Sequence, residues 1–240
     1  MTISNKTPAI SSKKEQVRQM FNSIAGSYDF LNHFLSLGID RRWRRRLVRE
    51  VKPGAPKRIL DVATGTADLA LELARLKPEK IVGVDISEKM LQIGEDKVRK
   101  RNLHNIIHLQ KADSENLPFE SNSFDLVTVA FGVRNFENLE TGLAELHRVV
   151  RDGGTLAVLE FSMPQQFLVR QLYLFYFKQI LPFLGRLISG NKSAYIYLPD
   201  SVQAFPCGQM FEQLLYKTGF IKVRSHKLHF GIATLYVADC

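Results

Sequence analysis

The chain has 240 residues, 45% of them hydrophobic and 24% charged. These proportions are ordinary for a soluble globular protein and exclude a disordered, collagen-like or coiled-coil chain. Lys and Arg together number 33 against 24 Asp and Glu, and the resulting +9 favours anionic partners: nucleic acid, acidic lipid headgroups or an anionic ligand. At about 150 residues per domain, and with no linker-like stretch, the length fits one large domain whose core needs neither disulfide nor metal. The two cysteines, Cys207 and Cys240, make no disulfide framework or zinc site and fit a reducing compartment.

Residues 1–14 are polar and lack the apolar core of a signal peptide. Residues 12–25 read as a basic helix and 41–51 as a second. The second carries Arg41, Arg42, Arg44, Arg45, Arg46 and Arg49 around Trp43 and Leu47, which fits either a solvated face or docking on an anionic membrane surface. Pro53 and Pro56 then break the chain. From there strands and helices alternate: a strand at 58–63 (RILDVA), a helix at 68–76, a strand at 80–85 (KIVGVD), and a helix capped by Ser87 and running to 100. Strands follow at 106–110 and 123–131, then a helix at 137–150, and a strand (TLAVLEF) after the turn Gly153-Gly154. The most apolar stretch, 167–188, is interrupted by Arg170, Lys178, Pro182 and Arg186. Charges inside a span cost about 2.5–3.5 kcal/mol each, so it reads as a buried or membrane-surface helix rather than a spanning one. A helix at 209–218 precedes two strands, 220–228 and 232–238, spaced to pair as an antiparallel hairpin. Residues 1–52 are then a helical cap of the same domain, and 53–240 the core, with an apolar lid inserted at about 165–205.

Alternating strands and helices, with nearly continuous apolar strands, predict an α/β fold: a mostly parallel seven-stranded sheet covered on both faces, with a terminal antiparallel hairpin. Ligands of such sheets sit beyond the carboxyl ends of the strands, near the point where strand order reverses. The first such loop is Asp61-Val-Ala-Thr-Gly-Thr-Ala-Asp68, a tight small-residue turn with one glycine, Gly65, and with Ala63 and Ala67 where a G-x-G-x-G pattern has its others. It suits either a ligand approaching the backbone or tight packing of a helix. Asp85 ends the second strand, where a carboxylate accepts both hydroxyls of a ribose or starts a turn before Ser87. Asp113-Ser114, ahead of Leu117-Pro118-Phe119, reads as a contact to an adenine amine or as a plain turn. Three loops in this order indicate an adenosine-containing cofactor. A phosphorylated one needs a pattern such as G-x-x-x-x-G-K-S/T, which is absent. S-adenosylmethionine has no phosphate, and Asp61 with the carbonyls around Gly65 suits its amino-acid end and sulfonium.

Two longer motifs carry a resemblance. One is Tyr28-Asp-Phe-Leu-Asn32-His-Phe-Leu-Ser36-Leu-Gly38-Ile-Asp40-Arg-Arg-Trp43, and the other is Arg148-Val-Val-Arg-Asp-Gly153-Gly154-Thr-Leu-Ala-Val-Leu-Glu160-Phe-Ser162-Met-Pro164, with Phe131-Gly-Val-Arg-Asn135 between them. They resemble the Y-D-x-M-N…S…H-x-x-W, R-V-x-K-P-G-G…L-E-F-S-x-P and F-G-L/V-R-N motifs of the quinone-biosynthesis C-methyltransferases, which act on demethylmenaquinone or a ubiquinone precursor. The likeness runs from about residue 14 to 238. Departures are local: Leu31 for Met, Asp40 where His is common, and Arg151-Asp152 for Lys-Pro. The resemblance implies a class I, Rossmann-like S-adenosylmethionine-dependent methyltransferase. It further implies cofactor binding by Thr66, Asp85, Asp113 and Ser114, with Ala130 lining the pocket through its backbone.

The implied reaction is methylation of a ring carbon on a polyprenylated hydroquinone, most simply demethylmenaquinol to menaquinol; a benzoquinol ubiquinone precursor is the alternative. Arg134 is the candidate to stabilise a developing phenolate, or else the partner of a carboxylate within the fold. Asn135 is the candidate to orient a hydroxyl, and Tyr195 to complete a proton path, unless Tyr195 and Tyr197 merely pack one face. No metal is expected: His104 and His108 share no helical face, and His226 and His229 lack a nearby acidic or cysteine ligand. An isoprenoid tail implies peripheral docking on an anionic membrane from the cytoplasmic side, and a homodimer is a further expectation. Nucleic acid is not expected as a partner, since the N/D-P-P-Y/F motif of base-amine methyltransferases is absent after the fourth strand. The more remote readings are another RNA or small-molecule methyltransferase and a nonenzymatic basic binding module.

Overall fold

The computed structural model describes residues 12–36, 38–176, 179 and 192–240. Seven strands form its one sheet: β1 (Arg58–Val62), β2 (Lys80–Asp85), β3 (Ile107–Lys111), β4 (Phe124–Ala130), β5 (Val150–Phe161), β6 (Ile221–Leu228) and β7 (Ala233–Asp239). Their order is β3-β2-β1-β4-β5-β7-β6. The first five run parallel, and β7 lies between β5 and β6, antiparallel to both. The chain starts at β1, steps outward through β2 and β3, then returns to β4 on the other side of β1. That reversal, between β1 and β4, is where a ligand crevice opens in such sheets.

The α-helices among the described residues are α1 (Lys13–Leu35), α2 (Ile39–Val51), α3 (Asp68–Leu73), α4 (Glu88–Lys100), α5 (Leu139–Val149), α6 (Phe167–Phe175), α7 (Lys192–Ala204) and α8 (Gln209–Lys217). Side chains alternate between two cores, as the two-residue period of a strand requires. From β1, Leu60 and Val62 face a core built with Leu143 and Leu146 of α5 and Phe211 and Leu215 of α8. Ile59 faces the opposite core, with Trp43 and Leu47 of α2 and Leu73 of α3. Both faces of the sheet are covered, which explains why its central strands are apolar at nearly every position. The Ser87 side chain accepts the Met90 N–H at the start of α4, and Asn138 caps α5 in the same way.

Beyond shifts of a few residues at element ends, three segments differ from their reading in the sequence. Helix α1 continues through Gly26 to Leu35 instead of stopping at 25, because Ile24 and Ala25 are buried against Met90 and Tyr173 and Tyr28 packs edge-on to Phe21. That packing offsets the roughly 1 kcal/mol a helical glycine costs. The Gly153-Gly154 turn is instead a bulge within β5, where pairing with β4 shifts register between Phe124 and Leu126. Helix α7, with Pro199 inside it, occupies part of the segment read as a lid. Of the apolar stretch 167–188, α6 is described, whereas Lys178, Pro182 and Arg186 lie outside the described residues. No described helix is long and apolar enough to cross a membrane.

Candidate active site

Loop geometry comes first. Ala63, Gly65 and Ala67 all adopt left-handed backbone, with φ of 54°, 56° and 64°. Glycine does so without cost; each alanine costs on the order of 1 kcal/mol. The conformation is held by the Thr64 N–H, which donates to the Val84 carbonyl at 2.9 Å, and by the Ala67 N–H to Thr64 at 2.9 Å. The two alanines therefore take the backbone that glycine favours in this loop. Across the switch point, Gly132 packs so closely that a Cβ there would stand 2.5 Å from the Cβ of Ala63. The loops after β1 and β4 are thus in contact and form one wall.

A cleft opens on the β2 side of that wall. Its floor is Val62, Val84 and Met90, and Gly65, Asp85, Asp113 and Ser114 line its rim. The Asp85 carboxylate accepts the N–H groups of Gly65 and Ser87, both at 2.9 Å, and burial raises its pKa. Helix α1 roofs the cleft with Lys14, Val17, Phe21 and Tyr28, which fall on one helical face. Lys14 Nζ bonds the Asp113 carboxylate at 2.5 Å, a partner that raises the pKa of the ammonium. Lys13 Nζ donates to the Phe136 carbonyl, also at 2.5 Å. The start of α1 is therefore pinned over the cleft by two lysines.

A second, smaller cavity lies on the α2 side. It shares Tyr28, Ala63, Gly65, Ala130 and Phe131 with the first and adds Arg44, Asp61, Thr64, Thr66 and Asp68. Asp61 is buried, which pushes its pKa up to about 6, while the hydroxyls of Thr64 and Thr128 donate to its two oxygens at 2.6 and 2.7 Å. The Thr66 hydroxyl donates to Asp29 at 2.5 Å and accepts from Lys97 at 3.1 Å. Lys97 also bonds Asp68, and Arg44 pairs with Asp40 at 2.5 Å and with Asp68 at 3.7 Å. Burial alone would raise the pKa of Asp40 and of Asp68, but Arg44 and, for Asp68, Lys97 hold both below the usual range.

This network sets one arginine of α2 apart from the other five. Trp43 is 4% exposed, donates its indole N–H to His229 Nδ1 at 2.7 Å and packs on Phe131 and Phe161; Arg44 is 8% exposed. Arg41, Arg42, Arg45, Arg46 and Arg49 remain exposed. Asp40, at the position where His is common, is buried and also accepts from Ser36 at 2.7 Å and faces His33 at 2.8 Å. Among the described residues, His33, Asp40 and Asp68 are close enough to share a metal ion, but Arg44 already supplies the positive charge there. His226, read as lacking an acidic neighbour, has Glu50 at 3.5 Å.

After β4, Phe131 takes φ of 58°, a strained backbone for a bulky residue, and its ring packs against Phe161 at 4.6 Å. Arg134 clamps this turn. Its Nη1 donates to the Phe131 carbonyl at 2.5 Å and to Glu160 Oε1 at 2.8 Å, and its Nε to the Ser201 hydroxyl at 3.3 Å. Glu160 is fully buried and also accepts the backbone N–H groups of Arg134 and Phe161. The carboxylate partner weighed for Arg134 is therefore Glu160. Asn135 lines the first cleft and accepts the Tyr197 hydroxyl at 3.0 Å. Burial raises the pKa of Tyr197 and, more strongly, of Tyr173, and both feel Arg134 and Glu160.

The model of the ubiE/COQ5 methyltransferase family matches residues 9–239. The chain belongs to this family. A demethylmenaquinone methyltransferase of Bacteroides fragilis is 48% identical over 227 residues, covering 94% of this chain and 93% of that one. The enzyme of that name from Porphyromonas gingivalis is 46% identical over the same shares. A ubiquinone/menaquinone biosynthesis C-methyltransferase UbiE of Geotalea daltonii is 45% identical, covering 96% and 98%. Among solved structures, the cyclase SpnF superposes with a TM-score of 0.65 at 17% identity, covering 95% of this chain and 97% of that one. An S-adenosylmethionine-dependent methyltransferase of Aquifex aeolicus gives 0.54 at 20%, covering 76% and 81%. These likenesses establish the class I, Rossmann-like fold.

Within this ubiE/COQ5 methyltransferase, Gly65, Asp85, Asp113 and Ser114 come together on the first cleft, and Gly65, Asp61 and Thr66 on the second cavity. Ala130 lines both. Arg134 and Asn135 stand on the turn between β4 and α5, while the side chain of Tyr195 lies outside the described residues. Sequence reasoning gave Arg44, Glu160 and Tyr197 no place at these cavities: Arg44 lines the second, Glu160 holds Arg134, and Tyr197 bonds Asn135. Glu160 did leave a signal: a carboxylate ending an otherwise apolar strand.

Proposed function

We propose that this ubiE/COQ5 methyltransferase uses S-adenosylmethionine to methylate a ring carbon of a polyprenylated hydroquinone, with demethylmenaquinol as its substrate. The observation that carries the reading is the two-part cleft at the switch point, joined through Gly65, Ala130 and Phe131. The donor set fits the cofactor. Asp85 offers a carboxylate to ribose hydroxyls, Asp113 and Ser114 offer acceptors to an adenine amine, and Val62, Val84 and Met90 offer apolar walls. Thr66 and Asp61 sit by the lobe that would take the amino-acid end. When bound, S-adenosylmethionine supplies an activated methyl group. The names of the Bacteroides and Porphyromonas relatives support the naphthoquinol substrate.

The protein's own part is alignment and proton control. A phenol-like hydroxyl with a pKa near 10 must lose its proton, or have its charge stabilised, before the ring carbon becomes a good nucleophile. Asn135, fixed by Tyr197, orients that hydroxyl, and Tyr195 or Tyr197 extends the proton path. Arg134 stabilises the developing phenolate through its N–H donors; because Glu160 compensates its charge, the full effect of a lone cation is not available. The apolar side chains of Phe167, Leu168, Leu172 and Phe175 are 60–76% exposed along α6, and with the five exposed arginines of α2 they give the enzyme a peripheral hold on an anionic bilayer holding the substrate's tail. The reading places it on the cytoplasmic side as a homodimer, with nucleic acid no part of its chemistry. The test is a methyl-transfer assay with labelled cofactor, offering demethylmenaquinol and the benzoquinol precursor side by side. Label entering demethylmenaquinol is expected; label entering neither quinol would overturn the assignment, and label entering the benzoquinol alone would replace the substrate.

A further inference from the structure

On an amphipathic helix a cation belongs on the wet side, yet Arg44 stands on the buried stripe of α2 formed by Asp40, Trp43, Leu47, Val48 and Val51. A guanidinium cannot lose its charge by deprotonation, so its burial has to be compensated by anions. Asp40 and Asp68 supply part of that compensation, and they explain why Arg44 is tolerated. They do not explain why it lines a cavity that continues into the cofactor cleft.

The two lobes differ in chemistry. Asp85, Asp113 and Ser114 of the first suit hydroxyl and amine groups of an uncharged nucleoside. The second carries both signs, with Arg44 against Asp61 and Asp68, and nothing in a nucleoside calls for a cation. An α-amino acid does, because it presents a carboxylate and an ammonium together. The lobe also borders Gly65, on the side of the β1 loop away from Asp85 and Asp113, where the chain leading from the ribose would run. Resting on the S-adenosylmethionine reading, we propose that Arg44 receives the carboxylate of the cofactor's amino-acid end and that the ammonium lies toward Asp61 and Asp68. The forked guanidinium, stacked 5.7 Å over the Phe131 ring, is suited to a carboxylate in a way that a flexible ammonium is not.

Calorimetry with truncated ligands tests this without relying on turnover. The probes are S-adenosylhomocysteine, its analogue lacking only the carboxylate, and 5′-methylthioadenosine, which lacks the whole amino-acid end. Wild-type protein should bind S-adenosylhomocysteine at least about tenfold more tightly than the decarboxylated analogue, the worth of one charge-assisted contact. Arg44→Met should erase that difference while leaving methylthioadenosine affinity unchanged. Should Arg44→Met fail to fold, Arg44→Lys is read instead, and the preference should shrink several-fold. Equal wild-type affinities for the first two probes would overturn the proposal, as would an Arg44 variant that weakens all three alike. If wild-type protein binds neither S-adenosylhomocysteine nor methylthioadenosine, the cofactor reading itself falls, and this inference with it.

Discussion

Asp61, fully buried, and Asp85, half-buried, are carboxylates on adjacent strands, and their different partners give them different expected behaviour. Asp85 holds two backbone N–H groups at the rim of the cleft, including that of Gly65 in the β1 loop. Asp85→Ala should weaken S-adenosylhomocysteine binding by about 2–3 kcal/mol through loss of a charge-assisted acceptor, read by calorimetry on folded protein. Unchanged affinity would remove Asp85 from the site. Asp61 is held by two hydroxyls instead, and burial raises its pKa to about 6. A raised carboxylate pKa means that the native state holds the proton more tightly than the unfolded chain, so stability falls as pH rises between the two values. From about pH 4 to 7 the wild type should lose on the order of 3 kcal/mol relative to Asp61→Asn, whose side chain does not titrate. Denaturant melts of both proteins across that range would show it; a constant difference would mean that the ionised form is fully stabilised where it stands.

The turn between β4 and α5 depends on a contact made across strands. Arg134 reaches back to the Phe131 carbonyl and across to Glu160 at the end of β5, and this pair holds a strained Phe131 beside the cleft. Removing one partner of a buried pair leaves a charge without compensation. Glu160→Ala and Arg134→Ala should therefore each cost about 3–5 kcal/mol in unfolding experiments, and the double variant should cost less than the sum of the two. Strict additivity would mean that the two groups are not coupled. On the folded fraction, Arg134→Ala should also slow single-turnover methyl transfer by about two orders of magnitude with little change in cofactor affinity. Equal losses in rate and in cofactor affinity would make Arg134 a structural clamp alone.

At the scale of the molecule, the proposed membrane docking rests on charge and on apolar exposure. Five arginines of α2 face solvent, while α6 exposes Phe167, Leu168, Leu172 and Phe175. Each basic residue near an anionic surface is worth about 1 kcal/mol, and 1 M salt shortens the screening length to about 3 Å. Co-sedimentation with anionic liposomes should therefore be strong at low salt and largely lost at high salt. Changing Arg42, Arg45 and Arg49 together to Gln should weaken it, and Leu168→Ser with Leu172→Ser should weaken what salt leaves behind. Equal binding to neutral and anionic vesicles would sink the electrostatic part, and resistance to alkaline carbonate would mean insertion.

The sequence by itself determined the alternation of strands and helices, the Ser87 cap, the three loops carrying Gly65, Asp85 and Asp113, and the motifs of the family. Each of these depends on neighbours within one turn or one strand, so periodicity and turn chemistry suffice to reveal it. The tertiary structure decided which arginine of α2 is a surface group and which lines a cavity. Arginines at six of nine consecutive positions, 41–49, leave no clear polar–apolar contrast around Arg44, and packing against Asp68 of α3 settled its place. It also decided that Arg134 meets Glu160, 26 positions away, that Thr66 meets Asp29 across 37, and that Lys14 closes over Asp113 across 99. Such pairs form only when the sheet has brought distant loops to one edge, and no local pattern along the chain encodes them.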